Sequence, residues 1–308
     1  MYRAARLLVV MLFLSWSCWG CGGPKDLFEQ IPDTINTVKA SNDYRKQVAV
    51  VLTAAPPTAI GRTVGGIYIK TLADAIRDED GRTLLVSPGD AEFPGFMAAL
   101  ATSASTSINT VDLAEAGRQA GYQGLVLAAV QDVRPEAKKT GIFWFRKMRF
   151  FFHYNLIVDL IDPYTASKTV SKVIEASVKV SEDDYEAYQS KEGSTIEDLN
   201  DAIADVAQDL GELIGQALKD EPWKAAVSRI QDGRLYIRVG RQAGVQTGDR
   251  LALFEGRRVL QGKQGQQFTA PGYKLAEVQV AAVTEQMVEA QVPNPEKVQV
   301  GDIVIPVK

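Results

Sequence analysis

Residues 149–162 read Arg149-Phe150-Phe151-Phe152-His153-Tyr154-Asn155-Leu156-Ile157-Val158-Asp159-Leu160-Ile161-Asp162, and Ala166 to Val180 run back after Asp162-Pro163-Tyr164-Thr165. The first segment alternates. Phe150, Phe152, Tyr154, Leu156, Val158 and Leu160 fall on one side, and Phe151, His153, Asn155, Ile157, Asp159 and Ile161 on the other. In the return segment Val170, Ile174, Ala176, Val178 and Val180 hold the even positions, and the odd ones are mostly Ser, Thr, Lys and Glu. A period of two with one apolar side is the mark of a half-buried strand, so the pair predicts a long β-hairpin.

The preceding residues set the company this hairpin keeps. Val48-Ala49-Val50-Val51-Leu52 is apolar throughout, as a strand covered on both faces must be. Ile60, Val64, Ile67, Thr71, Leu72, Ala75 and Ile76 then recur at helical spacing, and Thr83-Leu84-Leu85-Val86 gives a second strand. A short helix is expected around Phe93 to Ala101. Another runs from Val111 to Ala120, capped by Asn109 or Thr110 and closed by Gly121. Gly124 to Val130 is a third buried strand. Strands alternating with helices imply an α/β arrangement.

After the hairpin, Ser194-Thr195-Ile196-Glu197 has the form of a capping box, and Ile196, Leu199, Ile203, Val206, Leu210, Leu213, Ile214 and Ala217 make one apolar stripe. The opposite side carries Asp198, Asp201, Asp205, Asp209 and Glu212, a solvated face. From Ala226 the periodicity changes to short strands punctuated by glycine, which reads as a small barrel or sandwich. Gly248-Asp249-Arg250-Leu251 and Gly301-Asp302-Ile303-Val304 share one form, a turn entering an apolar strand. The expected fold is an α/β (α+β) domain with a mixed sheet and a long hairpin over 47–221, then a small all-β, barrel-like domain over 222–308.

The chain opens differently. Arg3 and Arg6 precede Leu7 to Leu14, and Cys18-Trp19-Gly20-Cys21-Gly22-Gly23 closes the run. A positive end, an apolar core too short to span and small residues for cleavage form a secretory signal. Both cysteines of the chain sit there, away from any element a disulfide or metal could staple. The pattern resembles a bacterial lipoprotein signal. That resemblance implies cleavage after residue 20 and acylation of Cys21, with Cys18 as the alternative, followed by a polar tether over 21–46 containing one short helix. An ordinary signal peptide or an uncleaved anchor would use the same residues.

Composition narrows the function. A net charge of −4 gives no general attraction to nucleic acid. His153 is the only histidine, which leaves no His-rich metal centre and no His-paired nucleophile. Gly61-Arg62-Thr63-Val64-Gly65-Gly66 lies between a strand and a helix, yet it matches neither a P-loop nor a dinucleotide fingerprint, so its glycines are expected to serve close packing. No enzyme, cofactor or metal is expected. The residues that stand out run from Lys138 to Phe152, where five lysines and arginines flank or interrupt six aromatics. Phe150 and Phe152 belong to the hairpin's buried side. Phe143, Trp144 and Phe145, with Arg146, Lys147 and Arg149, either complete a core edged by solvated charge or form a membrane or partner contact.

Two resemblances add expectations. The C-terminal region carries Gly233-Arg234-Leu235-Tyr236-Ile237, Gly244-Val245-Gln246-Thr247-Gly248-Asp249 and Val300-Gly301-Asp302-Ile303-Val304. In these it resembles the C-terminal β domain of flagellar assembly protein T. Residues 48–219, with their apolar first strand, Gly61-Arg62 and Ala120-Gly121-Tyr122-Gln123-Gly124-Leu125-Val126, look like the α/β domain of three envelope families. These are the Tol translocation protein N-terminal domain, the curli secretion lipoprotein and the lipoprotein activators of peptidoglycan synthases. Where those families carry an Asp-x-x-Thr-Gly-like turn, this chain has Asp162-Pro163-Tyr164-Thr165-Ala166, with alanine in place of the glycine. The resemblances imply a non-catalytic, lipid-anchored envelope protein, facing the periplasm from the outer membrane and contacting other envelope proteins of an assembly or further copies of itself. The alternatives are an oligomeric secretion pore with the 149–181 hairpin in a membrane, and a regulator of a peptidoglycan synthase.

Overall fold

The computed structural model describes residues 44–102, 108–190, 195–256, 258–261, 267–270 and 272–307. The signal-like run, Cys18, Cys21, most of the tether and Ser194 lie outside them. A five-stranded mixed sheet comes first, in the order β2-β1-β3-β4-β5. Its strands are β1 (Lys46–Ala54), β2 (Thr83–Val86), β3 (Gly124–Thr140), β4 (Lys147–Asp162) and β5 (Ser167–Val180). β1 pairs parallel with both β2 and β3, while β4 runs antiparallel to β3 and to β5.

Helices cover both faces of this sheet. α1 (Ala59–Glu79) and α5 (Glu197–Asp220) lie on one face, where Tyr68, Leu72, Leu199, Ile203 and Ile214 meet Val50, Val126, Leu156 and Val158. α2 (Gly95–Thr102) and α3 (Thr110–Ala120) cover the other, where Met97 and Leu113 meet Val51, Leu125 and Ile161. α3 is capped as its sequence requires. The Asn109 side chain accepts from the Val111 N–H, and Gly121 ends the helix at φ +90°, a left-handed conformation that any Cβ would strain.

Several details depart from expectation. The third strand continues to Thr140, ten residues past its apolar run, because β4 hydrogen-bonds to it along that whole length. The capping box is not formed: Ile196, buried in the core, occupies the N-cap of α5 and supplies no side-chain cap. A short helix, α4 (Glu182–Gln189), follows β5 and is capped by Ser181. Leu213, assigned to the apolar stripe of α5, is exposed, and Ala207, Gly211, Gly215 and Leu218 complete the buried side.

The C-terminal region closes into a six-stranded barrel in the order β11-β12-β7-β6-β13-β8. Its strands are β6 (Ala225–Gln231), β7 (Arg234–Ile237), β8 (Arg250–Phe254), β11 (Lys274–Val283), β12 (Val288–Gln291) and β13 (Ile303–Pro306). A separate two-stranded ribbon, β9 (Arg258–Gln261) with β10 (Gln267–Ala270), was not legible in the sequence. Leu235, Ile237, Leu251, Leu253, Val278, Val288 and Val304 fill the interior. The two glycine-aspartate turns have one geometry. Gly248 and Gly301 take φ +97° and +94°. Asp249 and Asp302 accept the N–H of Gln246 and Gln299, each at 2.8 Å.

Sheet and barrel are joined by buried contacts. Tyr164, from the β4–β5 turn, packs among Ala226, Ala252, Phe254, Ile303 and Ile305 on the barrel's outer wall. Tyr44 and Arg45 also belong to this junction: the Tyr44 ring meets the buried Trp223 edge-on, and the Trp223 indole N–H donates to the Arg45 carbonyl.

Candidate functional site

β3 and β4 are longer than the sheet that carries them, and their far ends leave it as a two-stranded finger. Phe150 and Phe152 are the last β4 residues under cover, the first tilted against Tyr185 of α4 and the second edge-on to Tyr188. Beyond Phe150 the pairs Lys138–Arg149, Lys139–Met148 and Thr140–Lys147 extend the ladder by about 10 Å at the usual rise per residue. A single 3-10 turn, Phe143–Phe145, closes the end. Gly141 makes that closure possible: it sits at φ +120°, and a Cβ there would lie 2.5 Å from the Phe145 carbonyl oxygen.

The end of the finger is apolar and uncovered. Trp144 is 85% exposed, Phe145 77%, Ile142 73% and Met148 43%. Lys138, Lys139, Arg146, Lys147 and Arg149 surround them and are exposed as well. No acid stands between Glu136 and Asp159. Trp144 and Phe145 are therefore surface groups, and the reading of this run as the edge of a core does not hold for them. Ile142 and Met148 join the cluster although the sequence reading passed over them. Only the pairing of β3 with β4 reveals them: Met148 faces Lys139 beyond the last covered pair.

Gly61 and Gly65 lie inside α1, where added Cβ atoms would meet Pro56 and the Leu52 side chain, so these glycines serve close approach of α1 to the end of β1. His153 is half-exposed on the outer face of β4, with Nε2 2.5 Å from Glu136 Oε2. Among the described residues no group of three or more His, Cys, Asp or Glu is placed to hold a metal ion, and no helix is long and apolar enough to cross a membrane.

Three perturbed ionisable groups stand at the junction. Burial lowers the Lys46 ammonium to about 8, against the pull of Asp80 and Glu221. It donates to the carbonyls of Leu218 and Glu221 at the end of α5. Burial also acts to lower Lys224, but Asp162 and Glu221 outweigh it and hold that ammonium above its ordinary range. Tyr164 is pushed up by burial. These groups tie elements together around a space too small for a substrate.

No curated protein sequence matches the chain. Among solved structures, the hypothetical protein CT253 from Chlamydia trachomatis is 16% identical, with 56% of this chain and 98% of that chain covered and a TM-score of 0.35. A PelC dodecamer from Paraburkholderia phytofirmans is 14% identical, with 60% and 94% covered and a TM-score of 0.31. A minor lipoprotein from Acinetobacter baumannii is 11% identical, with 56% and 93% covered and a TM-score of 0.29. Residues 232–306, most of the barrel with both glycine-aspartate turns, match the family of the flagellar assembly protein T C-terminal domain.

Proposed function

We propose that this chain is a non-catalytic component of a cell-envelope assembly, held by a lipid on Cys21 (or Cys18) and engaging other envelope proteins through its folded part. The match of residues 232–306 to a flagellar assembly domain carries the reading. The signal-like run ending at Cys21 and the uncovered finger support it. On this reading the protein faces the periplasm from the outer membrane, and Trp144, Phe145, Arg146, Lys147 and Arg149 make its outward contact.

A pore built from the 149–181 hairpin is not favoured. The apolar face of β4 and β5 is already covered by α5, and the opposite face carries His153, Asn155, Asp159, Glu175 and Lys179. Such a hairpin has no free apolar side to give to lipid.

Two measurements on the full chain test the proposal. Labelled palmitate is expected to be incorporated and to be lost when Cys18 and Cys21 are both changed to Ala; label that survives the double change overturns the anchor. Cross-linking in the native envelope is expected to recover a reproducible set of assembly proteins. Recovery of the protein alone, at every cross-linker length, overturns the assembly role.

A further inference from the structure

We propose that the finger formed by the ends of β3 and β4 inserts into the interface of an anionic lipid bilayer. The idea rests on the envelope reading above, since only an exported or membrane-apposed chain meets such a surface. Three observations carry it.

First, the cations are arranged against the finger's own stability. Lys138 and Arg149 are directly opposite each other across the antiparallel pair, and Lys147 and Lys139 flank them on the same two strands. Like charges at facing positions destabilise a sheet. Opposite-charge pairs would have been the stabilising choice, and the chain, with 38 acids against 34 bases, has acids in excess. Phosphate headgroups would supply the missing countercharge from outside.

Second, the apolar groups project from a convex end. Ile142, Trp144, Phe145 and Met148 sit on or beside a single turn, clear of α4 and the rest of the sheet. Protein hot spots pair a protruding anchor with a pocket of matching shape. A bilayer interface demands no shape, only apolar area at the tip and cations behind it at headgroup level. Third, the order along the finger is the one a bilayer requires. Trp144 and Phe145 are outermost, and the Lys138–Arg149 pair is set back toward the sheet.

The test uses residues 38–308, which form one compact unit holding the sheet and barrel cores and neither cysteine. The unit is floated with vesicles of phosphatidylcholine alone and with vesicles containing phosphatidylglycerol. Flotation is expected only with the anionic vesicles and is expected to weaken as salt is raised. Trp144 and the buried Trp223 are the tryptophans of this unit, so a blue shift of emission on binding reports Trp144. The Lys138→Ser/Arg149→Ser pair is expected to weaken binding about twenty-five-fold, at roughly five-fold per cation near an anionic surface. Trp144→Ser/Phe145→Ser is expected to weaken it more than about ten-fold. Thermal melting no lower than that of the natural unit establishes that both variants fold.

Equal binding to neutral vesicles, binding insensitive to both variants, or no binding at all would each overturn the proposal. In the last case, recovery of the same cross-linked envelope proteins from the full chain and not from its Trp144→Ser/Phe145→Ser form would make the finger a protein contact, with the assembly role intact. Vesicle binding by 38–308 together with no palmitate on the full chain would overturn the anchor and leave the finger's lipid contact standing.

Discussion

The Lys224 ammonium lies 3.1 Å from Asp162 Oδ2, with the two side chains only 12% and 7% exposed. Asp162 also accepts from the Tyr164 N–H at 2.8 Å and the Thr165 hydroxyl at 2.9 Å, so one carboxylate fixes both the β4–β5 turn and the approach to β6. Removing Asp162 leaves the buried ammonium with Glu221 alone, and removing Lys224 leaves a buried carboxylate without its cation. Asp162→Asn and Lys224→Met are each expected to destabilise by about 3 kcal/mol in urea unfolding. The double variant is expected to lose clearly less than the two together, the signature of a coupled pair. Strict additivity would mean that the two groups act independently.

Ala166 closes the same turn at φ +56°, where resemblance to the envelope families placed a glycine. An L side chain in the left-handed region costs roughly 1–2 kcal/mol, and glycine gives part of that back by loosening the unfolded chain. Ala166→Gly is therefore expected to stabilise by about 0.5–1 kcal/mol. A lowered melting temperature would show that the Ala166 methyl, buried against the α2–α3 side of the sheet, contributes more than its backbone costs.

Lys46 gives stability a pH dependence of defined sign. Its ammonium holds a proton to 10.5 when unfolded and to about 8 when folded. Between those values the unfolded chain binds the proton that the folded chain has shed, so stability rises with pH, by about 2–3 kcal/mol from pH 8 to 10. Beyond pH 10 the direction reverses, because burial pushes Tyr122 up to about 12 and the unfolded phenol ionises first. Urea midpoints measured from pH 7 to 10 are expected to climb in the natural chain and to lose that climb in Lys46→Met.

Two helical glycines are expected to respond in opposite directions. A Cβ on Gly211 would lie 2.4 Å from the Ala75 Cβ and 2.9 Å from the Leu72 carbonyl oxygen, so Gly211→Ala must push α5 away from α1, at a cost of about 1–3 kcal/mol. A Cβ on Gly66, on the exposed side of α1, would meet nothing within 4 Å. Gly66→Ala is expected to gain about 0.5–1 kcal/mol from helix propensity. Thermal melts of the two variants side by side provide the check.

Much of this architecture was legible because burial leaves a period in the sequence. Val48 to Leu52, the alternation from Phe150 to Leu160 and the stripe from Leu199 to Ile214 each marked the element and its buried side. The finger was harder. Arg134 to Thr140 carries no apolar alternation, since none of its residues is buried, and only its pairing with β4 makes it a strand. Ile196 displaced the capping box because a core position outweighs one side-chain hydrogen bond. Asp162 and Lys224, distant in sequence, became neighbours through tertiary closure alone. Cys18 and Cys21 lie outside the described residues.

The barrel's paired turns have a consequence for how it can be held. Val227, Ile237, Gln246, Gly248 and Asp249 correspond, without a gap, to Val280, Ala290, Gln299, Gly301 and Asp302. The hydrogen bonds correspond too: Gly248 donates to the Val280 carbonyl and Gly301 to that of Val227. Pairing is reciprocal, so Tyr236 faces Glu289 and Ala252 faces Ile305, each residue opposite its own counterpart. The barrel is thus a two-fold pseudosymmetric body whose axis leaves through those two pairs, on opposite walls. Tyr164 seals the Ala252–Ile305 pole. The other pole, at Tyr236 and Glu289, is turned away from the sheet and brings a two-fold frame to whatever meets it.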